Sequence, residues 1–325
     1  MINKEYKPVF KVTNKIIELV GKIKEKLSIV FLCKDFLILN KKIKIKSIYS
    51  SVKIEGNPYD FQTFYKVINN EEKEQKDKYK LEFKNALKAY KTIEEVKNNN
   101  VENFLKIHKI LMNNIIKSAG KTRSGNVGVY ENGTLIHMAP PANFVNNLLI
   151  DLFEWYNNDI SDVLIKSCAF HYELEFIHPF EDGNGRIGRL WHRFLLNKEN
   201  KLYENLQLEN IVYENVNNYY KALHNSNQKG DCSEFIECML TFILKAIERN
   251  EAYDFDSLNE VEKLTSILSS GPKSRQEIMD LLNIKSRITL QKSYIKPALE
   301  QQKIMIIGKL NSPKVKYKLV ENNKE

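Results

Sequence analysis

Residues 178–189 read His-Pro-Phe-Glu-Asp-Gly-Asn-Gly-Arg-Ile-Gly-Arg. This short stretch combines a histidine, two carboxylates, three glycines, an asparagine and two arginines. A tight turn between two helices would account for the glycines. It would not account for a base, a carboxylate and two guanidinium groups side by side. The combination therefore predicts a site that works on phosphate groups.

The flanking residues predict one helix before the stretch and another that starts within it. Apolar residues of 162–177 recur at spacings of three and four, which is the helical period. Pro179 cannot continue that helix, so the helix is expected to end there. A second helix is predicted from Gly185 to Leu196. The glycine-rich segment then lies at a helix N-terminus, where unpaired N–H groups and the helix dipole bind anions.

Four side chains of the stretch suit phosphate chemistry. Arg186 and Arg189 are three positions apart, so they share a helix face and can grip two phosphates. Histidine has an ordinary pKa of about 6.5, which suits His178 to act as a general base. Asp182 would repel a bare phosphate, so a Mg²⁺ ion that bridges the carboxylate to phosphate is expected there.

Two other patterns in the same region lead to different predictions. Gly183, Gly185 and Gly188 match the dinucleotide-binding pattern GxGxxG, which requires a preceding strand in a βαβ unit. The preceding residues have a helical period instead. His171, His178 and His192 could form a metal cluster, but their spacings match no standard zinc pattern.

The pattern His-x-Phe-x-Asp-Gly-Asn-Gly-Arg-x-x-Arg resembles the signature of the Fic family at every defined position. Fic proteins with this signature transfer AMP from ATP to a protein hydroxyl group. The resemblance implies that His178 deprotonates the target hydroxyl and that Asp182 holds Mg²⁺. Asn184 and its neighbouring glycines would form the anion hole for the α- and β-phosphates. Arg186 would clamp the β-phosphate and Arg189 the γ-phosphate.

The same resemblance defines the residues expected to contact ATP. They are Glu55, Val129, Tyr130, Gly183, Asn184, Gly185, Arg186, Ile187, Gly188, Arg189, Tyr220 and Asn227.

A hairpin is predicted at residues 125–141, because Asn132-Gly133 lies between two β-prone runs. Residues 122–127 and this hairpin are similar to the flap of the Fic family, which aligns the target segment beside the histidine by strand-like pairing. The tip is longer here than in many relatives. Tyr219-Tyr220 and Asn227 resemble the segment that shapes the adenosine pocket. Aromatic pairs on helices usually pack in the core, so Tyr219 is assigned to packing.

An inhibitory element is predicted far upstream, at Ser51-Val-Lys-Ile-Glu55-Gly-Asn. Serine and glutamate four apart share a helix face, and Gly56 and Pro58 favour a helix end. An ordinary helix C-terminus would also have this pattern. The segment resembles the inhibitory motif of the Fic family, which implies that Glu55 pairs with Arg189 in place of the γ-phosphate. Some relatives use this glutamate to remove AMP, so deAMPylation is a second expected role.

The composition of the 325-residue chain is that of a globular protein, with 42% hydrophobic and 28% charged residues. No apolar run approaches the roughly 20 residues of a membrane helix. The four cysteines form no CxxC pair, which favours reduced thiols in a cytoplasm. The formal charge of +9 could attract nucleic acid, or could reflect lysine-rich composition alone.

The C-terminal residues predict a small separate unit. After a polar linker at 254–260, helices are predicted at 261–269, 274–282 and 286–302, followed by strands at 303–308 and 314–320 around an Asn-Ser-Pro turn. This is the order of a winged helix-turn-helix, and it resembles the winged helices that follow many Fic domains. Lysines and arginines near the third helix and the wing would suit DNA phosphates. A protein-docking module with a lysine-rich surface is the alternative.

The predicted fold is mainly α: a Fic-type helical bundle with a β-hairpin flap and a C-terminal winged helix. The predicted domains are an N-terminal helical region at 1–95, a Fic core at 96–253, and a linker with the winged helix at 254–325. The predicted function is a protein adenylyltransferase that modifies Ser, Thr or Tyr of targets and of itself. The alternative is a DNA-binding transcriptional regulator whose Fic domain senses a nucleotide. Family members often dimerise, so a homodimer is also expected.

Overall fold

A computed structural model describes residues 6–30, 40–71, 77–131, 134–257, 259–268, 271–282, 284–308 and 315–320. At 28–30, 40–43, 129–131, 134–137, 250–257 and 266 it describes the backbone alone. The chain divides into two compact units. The first takes in residues 1–23 and 38–246, and the second residues 24–37 and 247–325, within the described ranges. The predicted domain boundaries at 95 and 253 stay predictions.

Helices dominate the first unit, as predicted. In chain order they are α1 (Asn14–Val30), α2 (Asn40–Ile54), α3 (Phe61–Ile68), α4 (Lys78–Thr92), α5 (Val101–Leu111), α6 (Val145–Asn158), α7 (Val163–Ile177), α8 (Asn184–Glu199), α9 (Leu208–Glu214), α10 (Val216–Lys229) and α11 (Ser233–Ser257). Short 3₁₀ turns at Ile93–Glu95, Ala142–Phe144 and Lys201–Asn205 join some of them. The second half of α1 and the end of α11 belong to the second unit.

The core of the first unit surrounds α7 and α8. Both helices carry buried residues along most of their length, as is typical of helices that are covered on all sides. Trp191 is fully buried and lies edge-on to Phe104, with ring centroids 5.2 Å apart. Its indole N–H donates a 2.9 Å hydrogen bond to Asn99, so the one polar atom of the ring is satisfied. This packing fixes α8, one of the two helices that carry the predicted site.

The predicted helix, turn and helix around residue 178 are confirmed. Asp162 caps α7 by accepting a hydrogen bond from the N–H of Leu164, and α7 ends at His178 in the left-handed conformation, with φ of 49°. Helix α8 follows from Gly183, whose φ is 85°. A non-glycine residue at positive φ is uncommon, so surrounding contacts must hold His178 there.

Helix α5 is shorter than predicted. The apolar pattern predicts a helix over 101–117, but α5 ends at Leu111. Met112, Ile115 and Ile116 still pack against the core, so the pattern is real. The chain reverses because Asn114 takes up a left-handed conformation, with φ of 57°, which asparagine tolerates better than most residues. Helices α4, α6 and α10 lie within a few residues of the ranges 80–97, 143–157 and 215–226 that the helical period predicts.

The predicted hairpin is confirmed as β1 (Gly128–Glu131) and β2 (Thr134–Met138), paired antiparallel. The register shifts between Val129 and Tyr130, which marks an irregularity in β1. The Asn132-Gly133 turn lies outside the described residues.

The second unit contains α12 (Glu260–Leu268), β3 (Lys273–Ser274), α13 (Arg275–Leu281), α14 (Arg287–Thr289), a π-helical segment (Leu290–Ile295), α15 (Lys296–Glu300), β4 (Ile304–Ile307) and β5 (Lys316–Leu319). The strand order is β3-β5-β4, all antiparallel. Ser274 and Glu277 form a capping box at the start of α13. The Asn-Ser-Pro turn at 311–313 lies outside the described residues.

Residues 254–257 of the predicted linker at 254–260 are helical, because α11 continues to Ser257. Acidic and polar composition indicated exposure to water. It did not indicate a helix end, since residues 246–262 contain neither glycine nor proline.

Within the described ranges, no helix is both long and apolar enough to cross a lipid bilayer.

Candidate active site

The loop between α7 and α8 is closed by its own side chains. Asn184 donates from its amide to the carbonyl of Phe180 and accepts from the N–H of Phe180, both at 2.9 Å. Phe180 is fully buried, and its ring stacks on His108 with centroids 3.4 Å apart. Asn184, predicted as a nucleotide contact, thus shapes the loop through its side chain, while its N–H lies in the first turn of α8.

His108 is a support of the loop that the sequence pattern did not reveal. Its Nδ1 accepts a 3.0 Å hydrogen bond from the N–H of Gly120, so its Nε2 carries the proton and donates to the carbonyl of Asp182 at 2.9 Å. Burial lowers the pKa of His108 to about 4, which keeps the ring neutral at physiological pH. No motif in α5 indicated this role.

Arg123 holds the base of the hairpin against the loop. Its backbone N–H donates to the carbonyl of Pro179 at 2.9 Å. Its guanidinium donates to the backbone carbonyls of four residues: Gly125, Pro140, Ile177 and His178. The bond to His178 is 2.8 Å long and fixes the carbonyl of the residue at positive φ. Arg123 belongs to the flap-like segment in the sequence, but its clamping role was not predicted.

The N-terminus of α8 forms an anion cradle. The first hydrogen bond of the helix runs from the N–H of Ile187 to the carbonyl of Gly183. The N–H groups of Asn184, Gly185 and Arg186 therefore have no acceptor within the helix, as at every helix start. A side chain at Gly185 would come within 2.4 Å of Glu55, so only glycine keeps this approach open.

Arg189 is held by the predicted inhibitory helix. Its Nη2 lies 2.7 Å from Oε1 of Glu55 and 3.0 Å from the carbonyl of Ser51, and its Nε donates to Oγ of Ser51 at 3.4 Å. Glu55 follows directly after α2, and Gly56 turns the chain with φ of 83°. Burial would lower the pKa of Arg189, but Glu55 and, to a smaller extent, Tyr219, Tyr220 and Glu175 together outweigh burial and raise the pKa above its ordinary value.

Arg186 retains unused donors. Its Nη2 donates to Oδ1 of Asp182 at 2.8 Å. Its Nη1 lies 3.0 Å from a carboxylate oxygen of Glu82, yet neither Nη1 nor Nε makes a hydrogen bond to a described residue. Buried donors without hydrogen bonds are costly. Their presence fits a site built for an anionic ligand such as a phosphate.

Asp182 is about half exposed, since its side chain retains 49% of its accessible surface. Its Oδ1 accepts hydrogen bonds from the N–H of Gly183 and from Arg186. No cluster of three or more His, Cys, Asp or Glu capable of holding a metal is found among the described residues. A single carboxylate beside an anion cradle is nevertheless what Mg²⁺ requires when phosphates supply further ligands.

His171 and His192, considered as metal ligands, lie in the core. They stack with centroids 5.1 Å apart, and burial lowers the pKa of His171 to about 3. His171 contacts the hydroxyl of Tyr219 at 3.1 Å, and Tyr219 is buried as the packing interpretation predicted. The zinc hypothesis therefore finds no support here.

The two residues predicted near adenosine differ in position. Tyr220 is partly exposed, and its pKa is raised to about 12 by partial burial and by the nearby charge of Glu55. Tyr220 therefore lies near the ion pair of Arg189 and Glu55. Asn227 accepts a 2.8 Å hydrogen bond from the hydroxyl of Tyr172, which links α10 to α7. Val129 and Tyr130 lie in β1, where only the backbone is described.

Glu175, on α7 one turn before His178, is a carboxyl that the predictions omitted. Its Oε1 lies 3.5 Å from Nε2 of His171, without a hydrogen bond to a described residue. Burial raises the pKa of Glu175 to about 7, against the opposing charges of Arg189 and His178. A side chain at Gly188 would collide with it at 2.5 Å. The spacing of three residues from His178 was the available sequence signal.

Comparison with known proteins identifies the family of the chain. The Fic/DOC family matches residues 99–196, and the C-terminal domain of Fic-like proteins ("Filamentation induced by cAMP protein Fic-like, C-terminal domain") matches residues 259–320. The crystal structure of a Fic family protein from Desulfovibrio desulfuricans G20 superposes with a TM-score of 0.73 and 30% identity. That match covers 98% of this chain and 100% of the other. The chain belongs to the Fic family.

Curated relatives are named as enzymes. A probable protein adenylyltransferase of Aquifex aeolicus is 32% identical over 46% of this chain and 42% of its own length. The protein adenylyltransferase fic-1 of Caenorhabditis briggsae is 28% identical over 46% of this chain and 28% of its own length. The chain thus spans less than half the length of these two relatives.

Proposed function

We propose that this protein is a protein adenylyltransferase that transfers AMP from ATP to Ser, Thr or Tyr hydroxyl groups of target proteins and of itself. The observation that carries the proposal is the position of His178 at the end of α7, directly before the anion cradle of α8. Within the cradle, Nε and Nη1 of Arg186 are buried and make no hydrogen bond to a described residue. Relatives named protein adenylyltransferases support the same reaction class.

The reaction follows from the roles of these groups. The target hydroxyl oxygen attacks the α-phosphorus of ATP while its proton passes to the ring of His178. The bond from the α-phosphorus to the bridging oxygen of the β-phosphate breaks, and pyrophosphate leaves. The N–H groups at the start of α8 stabilise charge on the phosphate oxygens. Mg²⁺, held by Asp182 together with the phosphates, would offset their negative charge.

The hairpin β1–β2 is proposed to present the target segment. An extended peptide can pair with an exposed strand edge through main-chain hydrogen bonds. Arg123 ties both ends of this hairpin to the loop that carries His178, so a paired peptide would be held at a fixed height beside the base.

Glu55 is proposed to inhibit the reaction. Its carboxylate lies 2.7 Å from Nη2 of Arg189, where a γ-phosphate oxygen would otherwise be bound. ATP bound beside it would have its triphosphate displaced from in-line attack. Since positioning supplies most of the catalysis in such transfers, a small displacement suffices. The same carboxylate, partly exposed, is proposed to position water for the removal of AMP.

The test uses ATP labelled on the α-phosphate with Mg²⁺. Glu55→Gly is expected to raise self-modification on the order of 100-fold, because the triphosphate regains its position. His178→Ala in the same background should remove the signal. No label in protein from the Glu55→Gly variant would reject the enzyme. Loss of AMP from labelled protein with Glu55 present, and not with Glu55→Gly, would support the second role.

A second function, DNA binding by a winged helix in the second unit, is favoured by its basic surface. Lys285, Arg287, Lys292 and Lys296 are exposed along the third helical segment, and Ile288 among them retains 68% exposure. Lys309 and Lys314 lie outside the described residues. Binding to duplex DNA that weakens steeply with salt would support this function. A cytoplasmic location is also proposed, because Cys168, Cys232 and Cys238 are free thiols.

A further inference from the structure

Arg186, the first arginine of the signature, has a carboxylate partner from outside the signature. Glu82 lies on α4, more than a hundred residues before Arg186. Its Oε1 is 3.0 Å from Nη1 of Arg186, and the two side chains retain only 10% and 6% of their accessible surface. A buried carboxylate is costly unless it is paired, so this contact must be specific.

The geometry of the pair leaves donors available. Arg186 uses Nη2 on Asp182, while Nη1 and Nε make no hydrogen bond to a described residue. The contact with Glu82 is therefore ionic, and it fixes the guanidinium without consuming the hydrogens of Nη1. If Glu82 only competed with phosphate for Arg186, its carboxylate would be expected to accept hydrogen bonds from Nη1.

Glu82 is also connected to the inhibitory segment. Its Oε2 accepts a 2.8 Å hydrogen bond from the amide of Asn57, two residues after Glu55. Asn57 is 2% exposed, and its amide also donates to the carbonyl of Tyr79 on α4 at 3.0 Å. One carboxylate thus contacts the phosphate clamp through one oxygen and the turn behind the inhibitory glutamate through the other.

We infer that Glu82 is a positioning residue for Arg186, which orients its guanidinium for the β-phosphate of the nucleotide. This inference rests on the proposed function for the identity of the ligand. Glu82 acts through its charge and holds the guanidinium of Arg186 from one side. The hydrogens on Nε and Nη1 of Arg186 remain available for the phosphate. Asn57 holds Glu82 in turn.

The experiment measures nucleotide binding by calorimetry, with Mg²⁺, to a chain carrying both Glu55→Gly and His178→Ala, which removes inhibition and reaction. Glu82→Gln is then added. It is expected to weaken ATP and ADP about tenfold or more, the range of hydrogen bonds to charged groups. AMP, which lacks a β-phosphate, should change less than about twofold. Glu82→Asp should restore part of the affinity for ATP.

The matched control is Glu209→Gln in the same chain. Glu209 is a buried carboxylate that pairs with Arg193 of the same helix at 2.9 Å, outside the anion cradle. It should leave the ratio of ATP to AMP affinity unchanged, even if it lowers stability. Equal weakening of all three nucleotides by Glu82→Gln would show a structural role and overturn the inference.

Activity distinguishes positioning from inhibition. In the Glu55→Gly chain with His178 intact, Glu82→Gln should raise KM for ATP more than it lowers kcat. A gain of transfer upon Glu82→Gln in the chain with Glu55 would instead mark Glu82 as a second inhibitor and overturn the inference. If the Glu55→Gly chain binds no ATP at all, the proposed function fails first. If it binds and transfers while Glu82→Gln changes nothing, only this inference fails.

Discussion

Arg189 and Arg193 lie one turn apart on α8, and both are buried and paired with a glutamate, yet the two pairs differ in kind. Arg193 donates to Glu209 at 2.9 Å and also to the carbonyls of Leu206 and Glu204, and Glu209 is 2% exposed. Arg189 contacts Glu55 at 2.7 Å, but the Glu55 side chain retains 26% of its accessible surface.

The difference shows that one helix carries an arginine in a fully buried ion pair and another arginine in a partly exposed ion pair. We call the Arg193 pair closed, because Glu209 is 2% exposed and three acceptors hold the guanidinium, so a ligand that replaced Glu209 would have to disrupt this packing. The Arg189 pair has one open side, and its carboxylate follows the end of α2, where a helix terminus can loosen locally. Under the proposed function, we therefore expect an incoming phosphate to replace Glu55 but not Glu209.

The largest effect is expected from breaking the closed pair. Glu209→Gln leaves Arg193 buried without a carboxylate, which should cost about 3–5 kcal/mol of unfolding free energy. Glu55→Gln should cost less, about 1–2 kcal/mol, since Arg189 keeps the Ser51 carbonyl and water can reach the open side. Denaturant unfolding measures both. Equal losses for the two variants would contradict the contrast, as would increased self-modification by Glu209→Gln.

A smaller effect, dependent on pH, is expected from Glu175, whose charge reaches Arg189. Burial raises the pKa of Glu175 from 4.5 to about 7. Below pH 4.5 the carboxyl is protonated in both the folded and the unfolded chain, so it has no effect on stability. As pH rises from 4.5 to about 7, Glu175 ionises in the unfolded chain before it ionises in the folded chain, so the folded chain loses stability.

Replacement by glutamine removes this penalty. Glu175→Gln should therefore match the parent near pH 4 and exceed its stability at pH 8 by on the order of 3 kcal/mol. Thermal unfolding across this pH range measures the difference, in which Glu173 and the other titrating groups cancel. A stability difference that stays constant with pH would show that Glu175 is not held protonated by burial.

The smallest effect is expected from Ser51, which sharpens the description of the open pair. Ser51→Ala removes the 3.4 Å hydrogen bond from Nε of Arg189 but keeps the carbonyl bond at 3.0 Å. A loss of about 1 kcal/mol from the inhibited arrangement would raise self-modification about fivefold. An increase as large as that of Glu55→Gly would move the main inhibitory contact from the glutamate to the serine.

The sequence was sufficient for the features that a local pattern encodes. The turn between α7 and α8 followed from Pro179 and the glycines, the hairpin from Asn132-Gly133, and the contact of Glu55 with Arg189 from the resemblance of two separate motifs. The end of α5 was missed, because Asn114 turns the chain within a continuing apolar pattern.

The supports of the site could not be predicted in the same way. His108 and Arg123 bind backbone carbonyls of the loop, and every residue type offers a carbonyl. Glu82 meets Arg186 across a gap of more than a hundred residues, with no spacing rule to connect them. Such contacts depend on how helices pack in three dimensions, and one sequence alone does not record that packing.

Arg123 donates hydrogen bonds to the carbonyls of Gly125 and Pro140, so the hairpin is attached at the residues that flank its two strands. Because the two ends are held through their own backbone carbonyls, this attachment does not depend on which side chains lie between them. Side chains between the two ends can thus be exchanged without breaking this attachment to the loop that carries His178. Under the proposed function, a different target segment would be accommodated by exchanging residues of this short hairpin, without rebuilding that loop.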